Sequence, residues 1–253
     1  DIDKISLEIN KQQTYIQKLR QQILQDAIQG KLTEEWRQQH PDLEPASELL
    51  KRIKAEKEKL VKEGKIKKQK PLPHIKEEAK PFELPEGWVW CRLGEIIRIN
   101  SGNGLTKNKI NNNGNIPVYG GNGVIGYHSK WNLNESKIII GRVGANCGVI
   151  HESQNKAWVT DNAFIVDFNK KYIDKEWLIH KLKALQLGNR SFKSAQPVIS
   201  GKRIYPLLCA LPPIKEQKVI VNKLKGLFDK SNLLQKKTKK NGQYAGKLMQ
   251  ALL

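Results

Sequence analysis

At 253 residues and 28.9 kDa, the chain has room for one substantial globular domain with extended helical parts. Its 45 Lys and Arg against 25 Asp and Glu give a formal charge of +20, a field that speeds encounter with polyanions and favours nucleic acid. No apolar run approaches the ~20 residues a bilayer span needs and no secretory signal opens the chain; Cys91, Cys147 and Cys209 lack metal-ligand spacing, so idle thiols in a reducing cytoplasm are expected.

In chain order, Ile2, Ile5, Ile9, Gln12, Ile16, Leu19 and Ile23 alternate steps of three and four, a coiled-coil seam with one polar layer. Residues 1–30 are read as a spacer helix of roughly 40 Å. Residues 31–80 read as a helical and basic linker. There Pro45-Ala46-Ser47-Glu48 opens a helix that Gly64 closes, and Lys65, Lys67, Lys68 and Lys70 run into Pro71 and Pro73. That charge run is either a phosphate contact or a solvated stretch.

From Pro81 to Pro212 the texture becomes short β-rich runs between Gly and Asn. Strands are expected at Trp88–Leu93, Ile96–Asn100, Ile116–Tyr119, Lys137–Gly141, Cys147–His151 and Ala163–Phe168, and a helix at Lys175–Leu187. Ser101-Gly102-Asn103-Gly104, Asn111-Asn112-Asn113-Gly114 and Gly120-Gly121-Asn122-Gly123 read as turns. Residues 213–253 form a second long helix, with a seam at Ile220, Leu224, Leu227, Ser231, Leu234, Thr238, Asn241, Ala245, Leu248 and Leu252. Its last turns repeat the first helix: Lys11/Lys240, Tyr15/Tyr244, Lys18/Lys247, Leu19/Leu248, Gln21/Gln250 and Leu24/Leu253 are identical, six of fourteen aligned positions. The fold class expected is α+β, one mixed α/β domain flanked by long N- and C-terminal coiled-coil helices.

The chain lacks the glycine-rich cofactor loop and the Asn- or Asp-Pro-Pro-aromatic motif of an amino-methyltransferase, and it lacks a phosphate-binding loop. Asp161 with Glu152 is a thin basis for a nuclease site. What remains is a basic domain whose loops carry the side chains that reach base edges and phosphates: Lys107, Asn108, Lys109, Asn111, Asn122, His128, Lys130, Arg142, Asn146, Arg190, Lys193 and Gln196. No catalytic or metal-binding residue is assigned.

Five stretches carry a resemblance: Lys18 through Leu32, Glu44-Pro45-Ala46-Ser47-Glu48-Leu49-Leu50, Ala55-Glu56-Lys57, Ile116-Pro117-Val118-Tyr119-Gly120-Gly121-Asn122-Gly123 and Leu211-Pro212-Pro213-Ile214-Lys215-Glu216-Gln217. The chain resembles the specificity subunit of type I restriction-modification systems, in a half-size form with a single target recognition domain, residues 81–212. The resemblance implies a non-catalytic subunit that reads double-stranded DNA, binds no cofactor itself, and directs adenine N6 methylation by partner methyltransferase subunits using S-adenosylmethionine. Cleavage is added by a restriction and translocase subunit. It further implies a bipartite target and, for a natural half-size chain, a homodimer; a fragment of a longer two-domain subunit would read the same over these residues. Methyltransferase or dimer contacts are expected at Ile16, Leu19, Ile23, Leu32, Trp36, Leu224, Leu227, Leu234, Leu248 and Leu252, with Trp36 open equally to a local core role. The competing reading is a stand-alone basic DNA-binding protein, of repressor or nucleoid type, dimerised by its coils.

Overall fold

The structure is a computed structural model that describes residues 2–111, 114–190 and 197–251, the side chains of 2, 3, 6, 190, 245 and 248–251 excepted. The chain divides into two compact units, residues 1–41 with 218–253, and residues 42–217. Among the described residues, no helix is long and apolar enough to cross a membrane.

The first unit is built on helix α1, Ile2–Ile28, and the greater part of α7, Ile214–Ala251. Arg20 Nε donates to Ser231 Oγ at 2.8 Å, and the same guanidinium reaches Asn232. Ile9 lies so close to Gly242 that a Cβ there would sit 2.5 Å from the Ile9 Cδ1. These two contacts make the helices antiparallel neighbours. The buried positions Ile16, Leu24, Ala27, Leu224 and Ser231 follow helical spacing. Gly30, at φ 76, ends α1 in the left-handed conformation that a side chain resists. Arg37 then donates to the Gly30 carbonyl at 2.8 and 3.2 Å, fixing the short helix α2, Glu34–Gln38.

The seam slips in phase relative to the sequence expectation. Leu19 is 46% exposed and Leu234 is 49% exposed, while Arg20, Gln13, Gln235 and Gly242 occupy the half-buried positions. The reason is local chemistry: Arg20 turns inward to satisfy the buried Ser231 hydroxyl, and Gly242, rather than Asn241, admits Ile9. Leu19 and Leu234 are therefore not core residues of this helix pair. Ile16 and Leu224 are buried as expected, and Ile23 and Leu227 are half-buried. Leu252, like Lys193 and Gln196, lies outside the described residues, as does the side chain of Leu248.

The second unit opens with helix α3, Ala46–Lys62, which buries Ala46, Leu49, Leu50 and Ile53 on one face. Gly64 at φ 68 closes it as the sequence suggests. The helix is no free linker. Lys54 pairs with Glu95 at 2.6 Å, and Lys57 donates to the Gly94 carbonyl of the short helix α4, Leu93–Ile96.

Three sheets follow. Strands β1, Val89–Arg92, and β9, Leu208–Leu211, form an antiparallel ribbon with Cys91 opposite Cys209. A four-stranded antiparallel sheet has the order β2 (Ile97–Ser101), β8 (Ala163–Phe168), β5 (Ile138–Gly141), β6 (Ile150–Glu152). A third sheet sets β3, Ile116–Gly120, between the antiparallel β4, Gly123–His128, and the parallel two-residue β7, Trp158–Val159. Ile138, Ile139 and Ile140 are each 0% exposed, the run of apolar residues a strand covered on both faces requires. Tyr119, Leu133, Ile139, Ala157, Val159 and Ala163 make a shared core between these strands. Helix α5, Lys175–Ala184, is capped by the Asp174 carboxylate accepting the Trp177 N–H at 3.0 Å, and it buries Trp177, Leu178 and Leu182. The short helix α6, Gly201–Ile204, leads into β9. All three cysteines are free and buried.

Candidate nucleic-acid interface

The loops that the strands leave exposed gather into two groups, both within residues 42–217. The first surrounds one end of β4. Lys107, Asn108 and Lys109 form an exposed 3-10 turn whose Lys109 carbonyl lies 2.9 Å from His128 Nδ1. The His128 ring stands edge-on to Trp158, centroids 5.4 Å apart. Asn111 bridges to Tyr127 through paired backbone bonds of 2.9 and 3.1 Å, and its side-chain oxygen accepts the Gly114 N–H at 2.9 Å. Lys130 is exposed beside Trp131, whose ring carries the Lys156 ammonium 4.5 Å from its centroid.

The second group lies at the other end of β4. Asn146 Nδ2 donates to Asn122 Oδ1 at 2.7 Å, joining two loops. Arg142 donates through Nη1 to Ser101 Oγ and to the Asp161 carbonyl, each at 3.2 Å, with its guanidinium carbon 5.3 Å from the Phe164 ring centroid. Its Nε is buried without a hydrogen-bond partner. The contacts with Ser101, Asp161 and Phe164 hold the guanidinium in one orientation. Gly121 permits this arrangement, since a Cβ there would lie 2.3 Å from the Val143 carbonyl. Arg190, whose side chain lies outside the described residues, ends the 3-10 turn Leu187–Arg190, which runs close against Cys147 and Gly148 beside Asn146.

Other cations are already engaged. Lys137 bridges Glu135 at 2.8 Å and Asp167 at 3.1 Å, Arg98 pairs with Asp167 at 3.0 Å, and Lys170 pairs with Glu135. Hydrogen bonds from Lys137 and Lys170 bring the Glu135 carboxyl down to about 2. Glu152, half of the nuclease alternative, pairs with Lys175 and accepts from Ser136, and its carboxyl is held below the usual range chiefly by Lys175. Among the described residues, no three His, Cys, Asp or Glu side chains gather as a metal site.

Trp131, Lys156, Trp158 and His151 join these groups although the sequence reading passed over them. Lys156 and Trp131 are 25 positions apart, and only the pairing of Leu133 with Ala157 brings them together. Leu32 and Trp36 are half-buried in the first unit, and Trp36 stacks on His40 with centroids 4.3 Å apart.

Residues 85–241 match the model of the type I restriction modification DNA specificity domain. The chain belongs to that family. Over 251 aligned residues, covering 85% of this chain and 40% of the relative, it is 35% identical to the type I restriction enzyme EcoAI specificity subunit of Escherichia coli. It is 63% identical over 82 residues, 32% of this chain and 13% of the relative, to the EcoEI specificity subunit of the same organism. The specificity domain also shares its fold with a chain in a solved structure described as the basis of complex assembly and conformational transition of the type I R-M system. That likeness has a TM-score of 0.57 at 18% identity and covers 99% of this chain and 57% of the other. The chain thus spans under half the length of the EcoAI relative.

Proposed function

We propose that this chain is a non-catalytic specificity subunit that supplies the DNA address of a type I restriction-modification complex, directing bound methyltransferase subunits to adenine N6 within a bipartite target. S-adenosylmethionine serves the partner, not this chain, and a restriction and translocase subunit adds cleavage. The observation that carries this reading is the pair of loop groups at the two ends of β4, set in a family domain. Between Ser101 and Asn134 the sequence has three lysines and no carboxylate. Neutralising phosphate there releases counterions, and the amides match the edges of adenine.

Within this proposal the DNA contacts are Lys107, Asn108, Lys109, Asn111, Asn122, His128, Lys130, Arg142 and Asn146, with Arg190, Lys193 and Gln196 as further members. The recognition domain covers residues 81–212, and residues 1–30 and 213–253 are the helical spacers. In the antiparallel register of α1 and α7, Leu234 stands level with Gln17, between the exposed Tyr15 and Leu19. This apolar face is where methyltransferase docks on the helix pair, and the internal repeat gives two copies of the chain a means of pairing about a twofold axis.

The test is co-expression with the methyltransferase encoded beside this chain, followed by mapping of N6-methyladenine across the host genome. An interrupted palindrome supports the specificity role with a homodimer, whereas an asymmetric split motif retains the role and replaces the homodimer with an unlike second domain. Soluble proteins with no methylation would favour the stand-alone DNA-binding protein, for which the charge of +20 already speaks.

A further inference from the structure

β4 departs from an ordinary edge strand in one respect. Its pairing with β3 runs Val118 to Gly126 and then Tyr119 to Val124, so Ile125 is an extra residue, a bulge. In an unbroken strand two neighbours face opposite sides, and one of them is covered. Here Val124 is 49% exposed and Ile125 is 47% exposed, with Tyr127 at 41% two residues on. Bulges of this kind re-aim side chains and recur beside functional sites.

The backbone around this apolar strip is fixed. Gly123 has φ 86 with the His151 ring against it, a Cβ there falling 3.1 Å from Cε1. Gly126 has φ 148, and a Cβ there would meet Ile110 Cγ2 at 2.4 Å. Burial, with Lys183 adding to it, lowers the pKa of the His151 ring packed against Gly123. The exposed strip offers apolar surface that a partner covers with gain.

Its surroundings select the partner. At one end lies the Asn122–Asn146 amide pair, and at the other lie His128 and the Lys107–Lys109 turn. The stretch from Ser101 to Asn134 carries cations and amides and no carboxylate, which suits DNA, and the exposed Asp161 lies beside Arg142 at the Asn122 end. From Asn122 to His128 the strand runs about 20 Å, roughly six base steps. β4 is an outer strand of the three-stranded β4–β3–β7 sheet, and its exposed side chains can enter the major groove, where the 5-methyl of thymine is the apolar group that projects from the base edges.

We infer that Val124, Ile125 and Tyr127 on the bulged strand β4 pack against thymine 5-methyl groups in the major groove of the target. This assignment rests on the DNA-reading role proposed above.

Replacing thymine by deoxyuridine removes that methyl and nothing else. The experiment uses the complex of this chain with its methyltransferase and synthetic duplexes of the mapped target, each with one thymine replaced. At one or more positions the unaltered complex should bind about fourfold more weakly, the worth of one buried methyl, while the Val124→Ala/Ile125→Ala complex discriminates less than about twofold. The doublet Val124→Thr/Ile125→Thr keeps the branched shape, the strand preference and one methyl each, so at an unchanged melting temperature its discrimination should fall between those of the unaltered and Ala complexes. Equal responses of unaltered and variant complexes at every thymine would overturn the assignment. So would a variant that binds the target normally but no longer holds methyltransferase, which would make the strip a protein dock. A complex that methylates a defined sequence yet shows no thymine discrimination sinks this inference alone, whereas one that methylates no defined sequence removes the proposed function and this inference together.

Discussion

Trp88 and Glu216 stand 128 positions apart, yet the indole Nε1–H donates to the Glu216 carboxylate at 2.8 Å, with both residues buried. The bond fastens the first turn of α7 to the residue just before β1. Removing a charged acceptor from a buried donor costs the bond and strands the N–H. Glu216→Ala should lower unfolding stability by about 2 to 3 kcal/mol in urea titration, and Glu216→Gln by less because it keeps an acceptor. An Ala variant with the original urea midpoint would remove this bond from the account.

Gln217, the next residue, is also fully buried and uses both ends of its amide. Its oxygen accepts the Asp174 N–H at 2.7 Å, and its nitrogen donates to the carbonyls of Pro212 and Tyr172 at 3.0 and 3.3 Å. Gln217→Glu keeps the acceptor but turns the donor into a second acceptor facing two carbonyls. A loss of about 3 kcal/mol is expected at neutral pH. A stable Glu variant would mean that the amide is replaceable at this junction.

Among the cations, Lys107 is exposed on its turn while Lys137 is held by Glu135 and Asp167. Lys107→Ala should shrink the salt dependence of DNA binding by about one unit of slope. Lys137→Ala should leave the slope nearly unchanged. The reverse order would move the DNA face to the other side of the β2–β8–β5–β6 sheet.

Because Leu19 and Leu234 are about half exposed, Leu19→Lys and Leu234→Lys should each change folding stability by less than about 0.5 kcal/mol. Both should weaken capture of methyltransferase in co-purification. Full capture by both variants would take the docking face away from the helix pair.

His180 lies partly buried in α5, and desolvation, with Lys183 adding to it, lowers its pKa to about 4. The unfolded chain titrates this group near its ordinary value of 6.5 and so binds more protons between pH 6.5 and 4. Its contribution to stability is full above pH 6.5 and is lost as pH falls toward 4. Urea midpoints measured across that window should decline for the unaltered protein and decline less for His180→Gln. His151, shifted the same way by burial, leaves a residual slope.

Much of this architecture was readable from pattern alone. Ile116–Gly120 and Ala163–Phe168 fall where alternation and Gly punctuation put strands, and α3 begins and ends at Pro45 and Gly64. β4 was hidden because Gly123 and Gly126 mimic turn residues and the bulge at Ile125 breaks the two-residue period. β7 has two residues, too few for any period, and exists through its pairing with β3. On the helices, spacing gave the seam but not its phase, since it takes the Arg20 to Ser231 bond to show that a charged residue faces inward. For the interface, residue chemistry pointed to Asn122, Arg142 and Asn146 but could not show that they share one end of β4, nor that Lys137 is already paired.

The β1–β9 ribbon places the start and finish of the intervening chain one strand apart, with Cys91 directly across from Cys209. Everything from Leu93 to Leu207 leaves and returns through that narrow neck. The neck is not the segment's sole hold, because Lys54 and Lys57 of α3 reach Glu95 and the Gly94 carbonyl, and Gln217 of α7 binds the backbone of Asp174 and Tyr172. The fold of this unit is therefore closed twice, once by strand pairing at the neck and once by the polar contacts that α3 and the first turn of α7 make beyond it.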